Sequence, residues 1–103
     1  MDKTVYVAGQ GPFDPVTGQL VGETLKEQSK RTFENLKAII EESGARMDNV
    51  VKVTVILGND ANFDEFNEYY KEYFSIPFPA RTIFHSDLGF YVQIDAIAII
   101  SEG

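Results

Sequence analysis

Four side chains near the C-terminus are of types that could handle a small polar molecule. Arg81 follows a proline-flanked entry, Pro77-Phe78-Pro79-Ala80, and leads into a β-branched run. The prolines restrict the backbone before it and so could aim its guanidinium, whose planar fork of donors matches a carboxylate at two points. It is the only Lys or Arg after Lys71. The simpler alternative is a salt bridge with one of the 16 acidic side chains. Gln93 and Asp95 lie two apart in an alternating run, which puts them on one strand face about 7 Å apart. A carboxylate there can act as a base or hold a water. The alternative is a polar pair at a seam between subunits. His85 falls on the same side of its strand as Ile83 and Arg81, and a lone His is more often structural than catalytic.

Other chemistries lack their residues. The chain of 103 residues has no Cys and one His, which excludes a thiol nucleophile, a disulfide framework, a Cys-ligated metal and a His-rich metal site. There is no G-x-S-x-G, P-loop or G-x-G-x-x-G pattern, and Gly9-Gln10-Gly11 is too short a signal for phosphate. Lys and Arg number 9 against 16 Asp and Glu, for a formal net charge of −7. That excess disfavours a grip on nucleic-acid phosphates. No run approaches the roughly 18 apolar residues of a membrane helix, and the first residues carry no apolar stretch with a cleavage site. The expectation is a cytoplasmic protein that contacts no membrane and binds no nucleic acid.

The elements that must position these side chains follow from patterning. Thr4-Val5-Tyr6-Val7-Ala8 reads as a strand that stops at Gly9. Residues 13–22 read as a tight hairpin or stiff loop, with Asp14-Pro15 and Gly18 at turn spacing. Thr24 and Glu27 form a capping box. Behind them Leu25, Ser29, Thr32, Phe33, Leu36, Ile39 and Ile40 recur at helical spacing up to Gly44. Val51, Val53, Val55 and Leu57 alternate as a strand. Asn62 with Glu65 signals a second helix bearing the aromatic stripe Phe63, Phe66, Tyr70, Tyr73 and Phe74, which fails by Pro77. Thr82 to His85 and Phe90 to Ile100 are the last strands. In the final one, Val92, Ile94, Ala96, Ala98 and Ile100 lie on one face and Tyr91, Gln93, Asp95, Ile97 and Ile99 on the other.

The order predicts an α+β sandwich over residues 1–103 as one domain: a mixed sheet with two helices on one face. The other face then stays bare yet carries Ile97, Ile99 and Tyr91, which predicts a homo-oligomer whose open faces meet.

Several of these segments also resemble the RidA family, known too as YjgF or L-PSP endoribonuclease-like proteins. They are Tyr6-Val7-Ala8-Gly9-Gln10 with Asp14-Pro15-Val16-Thr17-Gly18, Val53 to Leu57 followed by Phe63-Asp64-Glu65-Phe66-Asn67, Pro79-Ala80-Arg81-Thr82, and Val92-Gln93-Ile94-Asp95-Ala96-Ile97-Ala98. The resemblance covers nearly the whole chain, in order. It implies a chorismate-mutase-like homotrimer with helices outside and a cleft between each pair of subunits. It implies hydrolysis of reactive enamine or imine intermediates, such as 2-aminoacrylate, to 2-oxo acids and ammonia, without metal or cofactor.

Carried over by position, Arg81 is similar to the Arg that binds the substrate carboxylate. A backbone group near Ile83 helps hold the imine nitrogen, Gly9 lends backbone to the pocket, and Asn67 matches a recurrent polar position on the second helix. Gln93 stands where the active pattern has the Glu that positions and activates water. Gln can hydrogen-bond a water but cannot take its proton near neutral pH. Ala8 replaces a frequent Ser, and Ile83 replaces a Cys of some members, which removes thiol-based regulation. The family's leading segment with Ile-Gly-Pro-Tyr-Ser has no counterpart here, so the domain is expected to be one N-terminal strand short.

Three functions compete on this reading. The first is an imine deaminase, weakened by Gln93. The second is a non-catalytic module that binds small 2-oxo acids or carboxylates in the intersubunit clefts. The third, a ribonuclease, ranks last because of the negative charge and the lack of a His pair.

Overall fold

The structure, a computed structural model, describes residues 3–101. Four strands and two helices follow one another as β1 (Lys3–Gln10), α1 (Leu25–Glu42), β2 (Val50–Gly58), α2 (Phe63–Tyr70), β3 (Ala80–Ser86) and β4 (Val92–Ile100). A single 3-10 turn, Met47–Asn49, leads into β2. The strands form one mixed sheet in the order β1-β4-β2-β3. β4 is antiparallel to both β1 and β2, while β3 runs parallel to β2. That parallel pair is possible because α2 provides the crossover between its strands.

The helix starts obey their sequence signals. At α1 the Thr24 side chain accepts from the Glu27 N–H at 3.1 Å, and Glu27 Oε1 accepts from the Thr24 N–H at 3.2 Å. At α2 the Asn62 side chain accepts from the Glu65 N–H at 2.8 Å. The second helix is shorter than its aromatic stripe. It ends at Tyr70, and the chain tightens into i+3 bonds, Glu72 N–H to Tyr69 C=O and Tyr73 N–H to Tyr70 C=O, before Pro77. Tyr73 and Phe74 still reach the core from that turn, with ring centroids 4.7 Å and 6.1 Å from Phe33. Residues 13–22 are the expected tight loop. Phe13 bridges Leu20, and the Asp14 carboxylate accepts from the N–H groups of Val16 and Thr17.

Both helices cover one face of the sheet. Phe33, Leu36 and Ile40 of α1 and Phe66 and Tyr70 of α2 are buried with Val53, Val55, Leu57, Val92, Ile94, Ala96 and Ala98 of the sheet. Each fully buried large apolar side chain contributes about 1.5–3 kcal/mol relative to exposure. Among the described residues, no layer covers the opposite face. Tyr6 and Ile99 stay 76% and 36% exposed there, a large apolar area for a sheet to leave in water. Tyr91 is a correction to the expected membership of that face. It precedes β4, is half-buried against the core, and donates its N–H to Gln28 Oε1 at 2.9 Å.

Candidate functional site

Pairing register decides which face each polar side chain occupies. On β3, Arg81, Ile83 and His85 pair with Val53, Val55 and Leu57. Those three are fully buried under the helices, so the β3 trio points to the helical side. On β4, Gln93 and Asp95 pair with Ile56 and Thr54, which belong to the uncovered face. Arg81 and Gln93 therefore lie on opposite faces of the sheet. β2 runs between their strands, a lateral separation of about 10 Å. The two groups nominated together from the sequence do not meet within one chain.

Arg81 sits at the sheet edge against α2. Its Nη1 donates to Asn67 Oδ1 at 2.8 Å. The guanidinium carbon lies 4.6 Å from the ring centroid of Tyr70 and 5.6 Å from that of Phe63. Asn67 and Tyr70 are three apart on α2, so one helix face presents both contacts. Among the described residues no carboxylate approaches Arg81 within 4.0 Å, and the ion pair found there joins Lys71 to Glu68. The salt-bridge alternative for Arg81 thus has no acid to support it. Asn67, Tyr70, Lys71, Phe78, Pro79 and Arg81 line a cleft of about 250 Å³. It has a cationic end, an amide and a largely apolar wall. Burial raises the Tyr70 phenol above its ordinary pKa, while the nearby Arg81 charge works the other way. The Tyr70 hydroxyl is buried without a hydrogen-bond partner.

The remaining nominated residues separate between the two regions. Ile83 is half-buried on the helical side of β3, packed against the core. His85 shares that side, with Nε2 3.0 Å from the Ala61 carbonyl, and makes no contact with Arg81. Gly9 belongs to the uncovered face. Its φ of +65° is a conformation that favours glycine. This lets β1 slip register between Val7 and Gln10 and turn the Gly9 N–H onto Asp95 Oδ1 at 2.6 Å. Lys52 lies on the same face, held by Val53 C=O at 2.7 Å and by the hydroxyls of Thr54 and Thr82. Tyr6, Ala8, Lys52, Thr54, Asp95 and Ile97 border a shallow depression there of about 230 Å³.

Sequence reasoning placed Tyr70 in the aromatic stripe of the second helix without a role at the site, and passed over Lys52. The spacing of Asn67 and Tyr70 on one helix face was the available signal for the first. For the second, a charged residue inside the alternating run of β2 was the signal. Among the described residues, no group of three or more His, Asp or Glu is placed to hold a metal ion, and no helix is long and apolar enough to cross a membrane.

Comparison with known proteins adds a common pattern. The family model described as Endoribonuclease L-PSP matches residues 1–100. A RutC family protein of Pyrococcus abyssi is 53% identical over 77 residues, which are 75% of this chain and 61% of that relative. The chain thus spans less than two thirds of that archaeal protein. The human 2-iminobutanoate/2-iminopropanoate deaminase is 38% identical over 102 residues, covering 96% of this chain and 74% of the human one. The crystal structure of an endoribonuclease candidate from Thermotoga maritima superposes with a TM-score of 0.87 at 41% identity, covering 97% of this chain and 80% of that one.

Proposed function

The chain belongs to the Endoribonuclease L-PSP family, and from that premise we propose that its Arg81 cleft holds the carboxylate of a small 2-imino acid. The reaction is hydrolysis of the imine to a 2-oxo acid and ammonia. The observation that carries this reading is an Arg81 guanidinium lining a cleft with no carboxylate within 4.0 Å among the described residues. An unneutralised guanidinium retains donors and charge for an incoming carboxylate, the strongest partner it can take. The human relative's name supplies the substrate class.

In this reading water adds to the imine carbon to give a carbinolamine, whose C–N bond breaks to release ammonia and leave the carbonyl. Arg81 fixes the carboxylate beside that carbon. Backbone near Ile83, on the outer strand, faces the imine nitrogen. Gln93 orients the attacking water by hydrogen bonding but cannot remove its proton, so the water attacks without a strong base. Gln93 and Gly9 lie on the face opposite Arg81, so a complete site needs a second copy of the chain. That copy brings its open face to the β3 edge of the first, in the trimeric arrangement expected from the family resemblance. Burial of Ile97, Ile99 and Tyr6 would favour the same contact.

Ammonia release from 2-aminoacrylate generated in situ tests this reading in the wild type, Arg81→Ala and Gln93→Glu. Activity is expected in the wild type, lost in Arg81→Ala and raised in Gln93→Glu. Wild-type turnover by Arg81→Ala would refute it. A second reading, a binding module without turnover, is favoured by Gln93 alone. It predicts calorimetric binding of 2-oxobutyrate with no ammonia release.

A further inference from the structure

The floor of the Arg81 cleft is an aromatic ring with little freedom to move. Tyr70 is 3% exposed. Its ring stacks on Phe74 at 4.6 Å and lies 6.3 Å from both Phe66 and Phe78. Close packing on these sides fixes the plane of the ring. The Arg81 guanidinium lies over that plane at 4.6 Å, and its one side-chain hydrogen bond among the described residues goes to Asn67. With the Phe63 ring 5.6 Å away, three neutral groups thus hold a cation, and the Tyr70 ring is the nearer of the two rings. A carboxylate would hold it more tightly, but would cancel its charge and occupy its donors. A ring face attracts the guanidinium through its quadrupole and competes with neither.

We propose that Tyr70 is a positioning residue for Arg81: its ring face orients the guanidinium while leaving the charge and remaining donors for a ligand carboxylate. This deepens, and rests on, the reading of Arg81 as a carboxylate clamp. Holding the long side chain in place before binding reduces the rotamer freedom lost when the ligand arrives. The Asn67 amide, one helical turn earlier, fixes the fork in its own plane by accepting from one end.

The test separates ring electronics from ring packing. 2-Oxobutyrate is titrated by calorimetry into the wild type, Tyr70→Phe, Tyr70→Leu and a protein with a multiply fluorinated phenylalanine at position 70. The fluorinated ring keeps its size while losing most of its negative face. Tyr70→Leu and the fluorinated ring are expected to raise Kd by about threefold to thirtyfold, with Tyr70→Phe, the conservative variant, restoring tight binding. In imine hydrolysis the change should fall on KM more than on kcat. The fluorinated protein covers the case in which Tyr70→Leu fails to fold. Equal binding by the fluorinated and Tyr70→Phe proteins would overturn the proposal. ¹⁵N relaxation of the Arg81 Nε without ligand gives a readout independent of the clamp. Greater mobility over the fluorinated ring supports the positioning role, and unchanged order refutes it. If the wild type binds no 2-oxobutyrate, the clamp reading falls while this relaxation result still judges Tyr70.

Discussion

The Arg81 cleft and the uncovered sheet face differ in where their order comes from. The cleft is lined by residues of its own chain. Asn67, Tyr70 and Phe63 come from one helix, Phe66 and Tyr70 anchor that helix in the core, and Arg81 lies against the three. The open face has its polar groups placed by strand register alone. Gln93 follows from alternation, Asp95 is tied to Gly9, and no side chain packs over them from another layer. A recognition element can be built in advance on a packed core. Under the proposed function the open face obtains its covering layer from a second copy, so its groups depend on association where the cleft does not.

Four substitutions and one mixture break or sharpen that contrast. The largest effect is expected from Arg81→Ala, which should lower carboxylate affinity and imine turnover by about 100-fold, the value of a charge-assisted bidentate pair. Its melting temperature should stay close to wild type, because Arg81 is only half-buried. Next, mixing Arg81→Ala with Gln93→Leu after joint refolding should restore about one quarter of the wild-type rate, the random fraction of interfaces carrying both intact groups. A site contained in one chain would restore none.

Gln93→Glu should raise kcat by about tenfold or more through general-base assistance. It should also introduce an acidic limb into the pH–rate profile that the wild type lacks. Tyr70→Phe should stabilise the protein by about 1 kcal/mol in denaturant titration, since it removes a buried hydroxyl without a partner. No comparable gain should come from the open face. The smallest effect belongs to neither region. Glu27 has its carboxyl pKa held below the ordinary 4.5 by the N–H of Glu23, with the Thr24 hydroxyl and N–H adding to it. A carboxyl depressed in the folded state contributes stability above its unfolded pKa and loses it as pH falls through the folded one. Glu27→Gln should therefore lower the melting temperature slightly at neutral pH and converge on wild type as pH falls below about 4.5, which flattens the acid decline.

The parts of this molecule readable from sequence are the ones set by near neighbours. The Thr24–Glu27 box, the Asn62 cap, the Asp14 loop and the alternation of β4 depend on residues a few positions apart, and the structure contains all of them. The α+β class and the mixed sheet followed from element order. The division of the site did not, because the side to which Arg81 points depends on pairing with Val53, 28 positions away, in a parallel register that alternation cannot reveal. The end of α2 was misjudged for a related reason. Tyr73 and Phe74 keep helical spacing in the sequence, and tertiary packing on Phe33 holds them in the core although the helix has ended.

β3 is joined to the sheet by one neighbour, while β4 and β2 each have two. Its amides can therefore exchange with solvent through a local opening that releases β3 from β2 and leaves β1, β4 and α1 folded. Arg81 rides on that strand. Any ligand held by its guanidinium binds only the closed form, and so suppresses the opening in proportion to its own affinity. Occupancy of the cleft is thus written into the hydrogen-exchange rates of residues 80–86, while the strands that carry Gly9 and Asp95 keep their own timing.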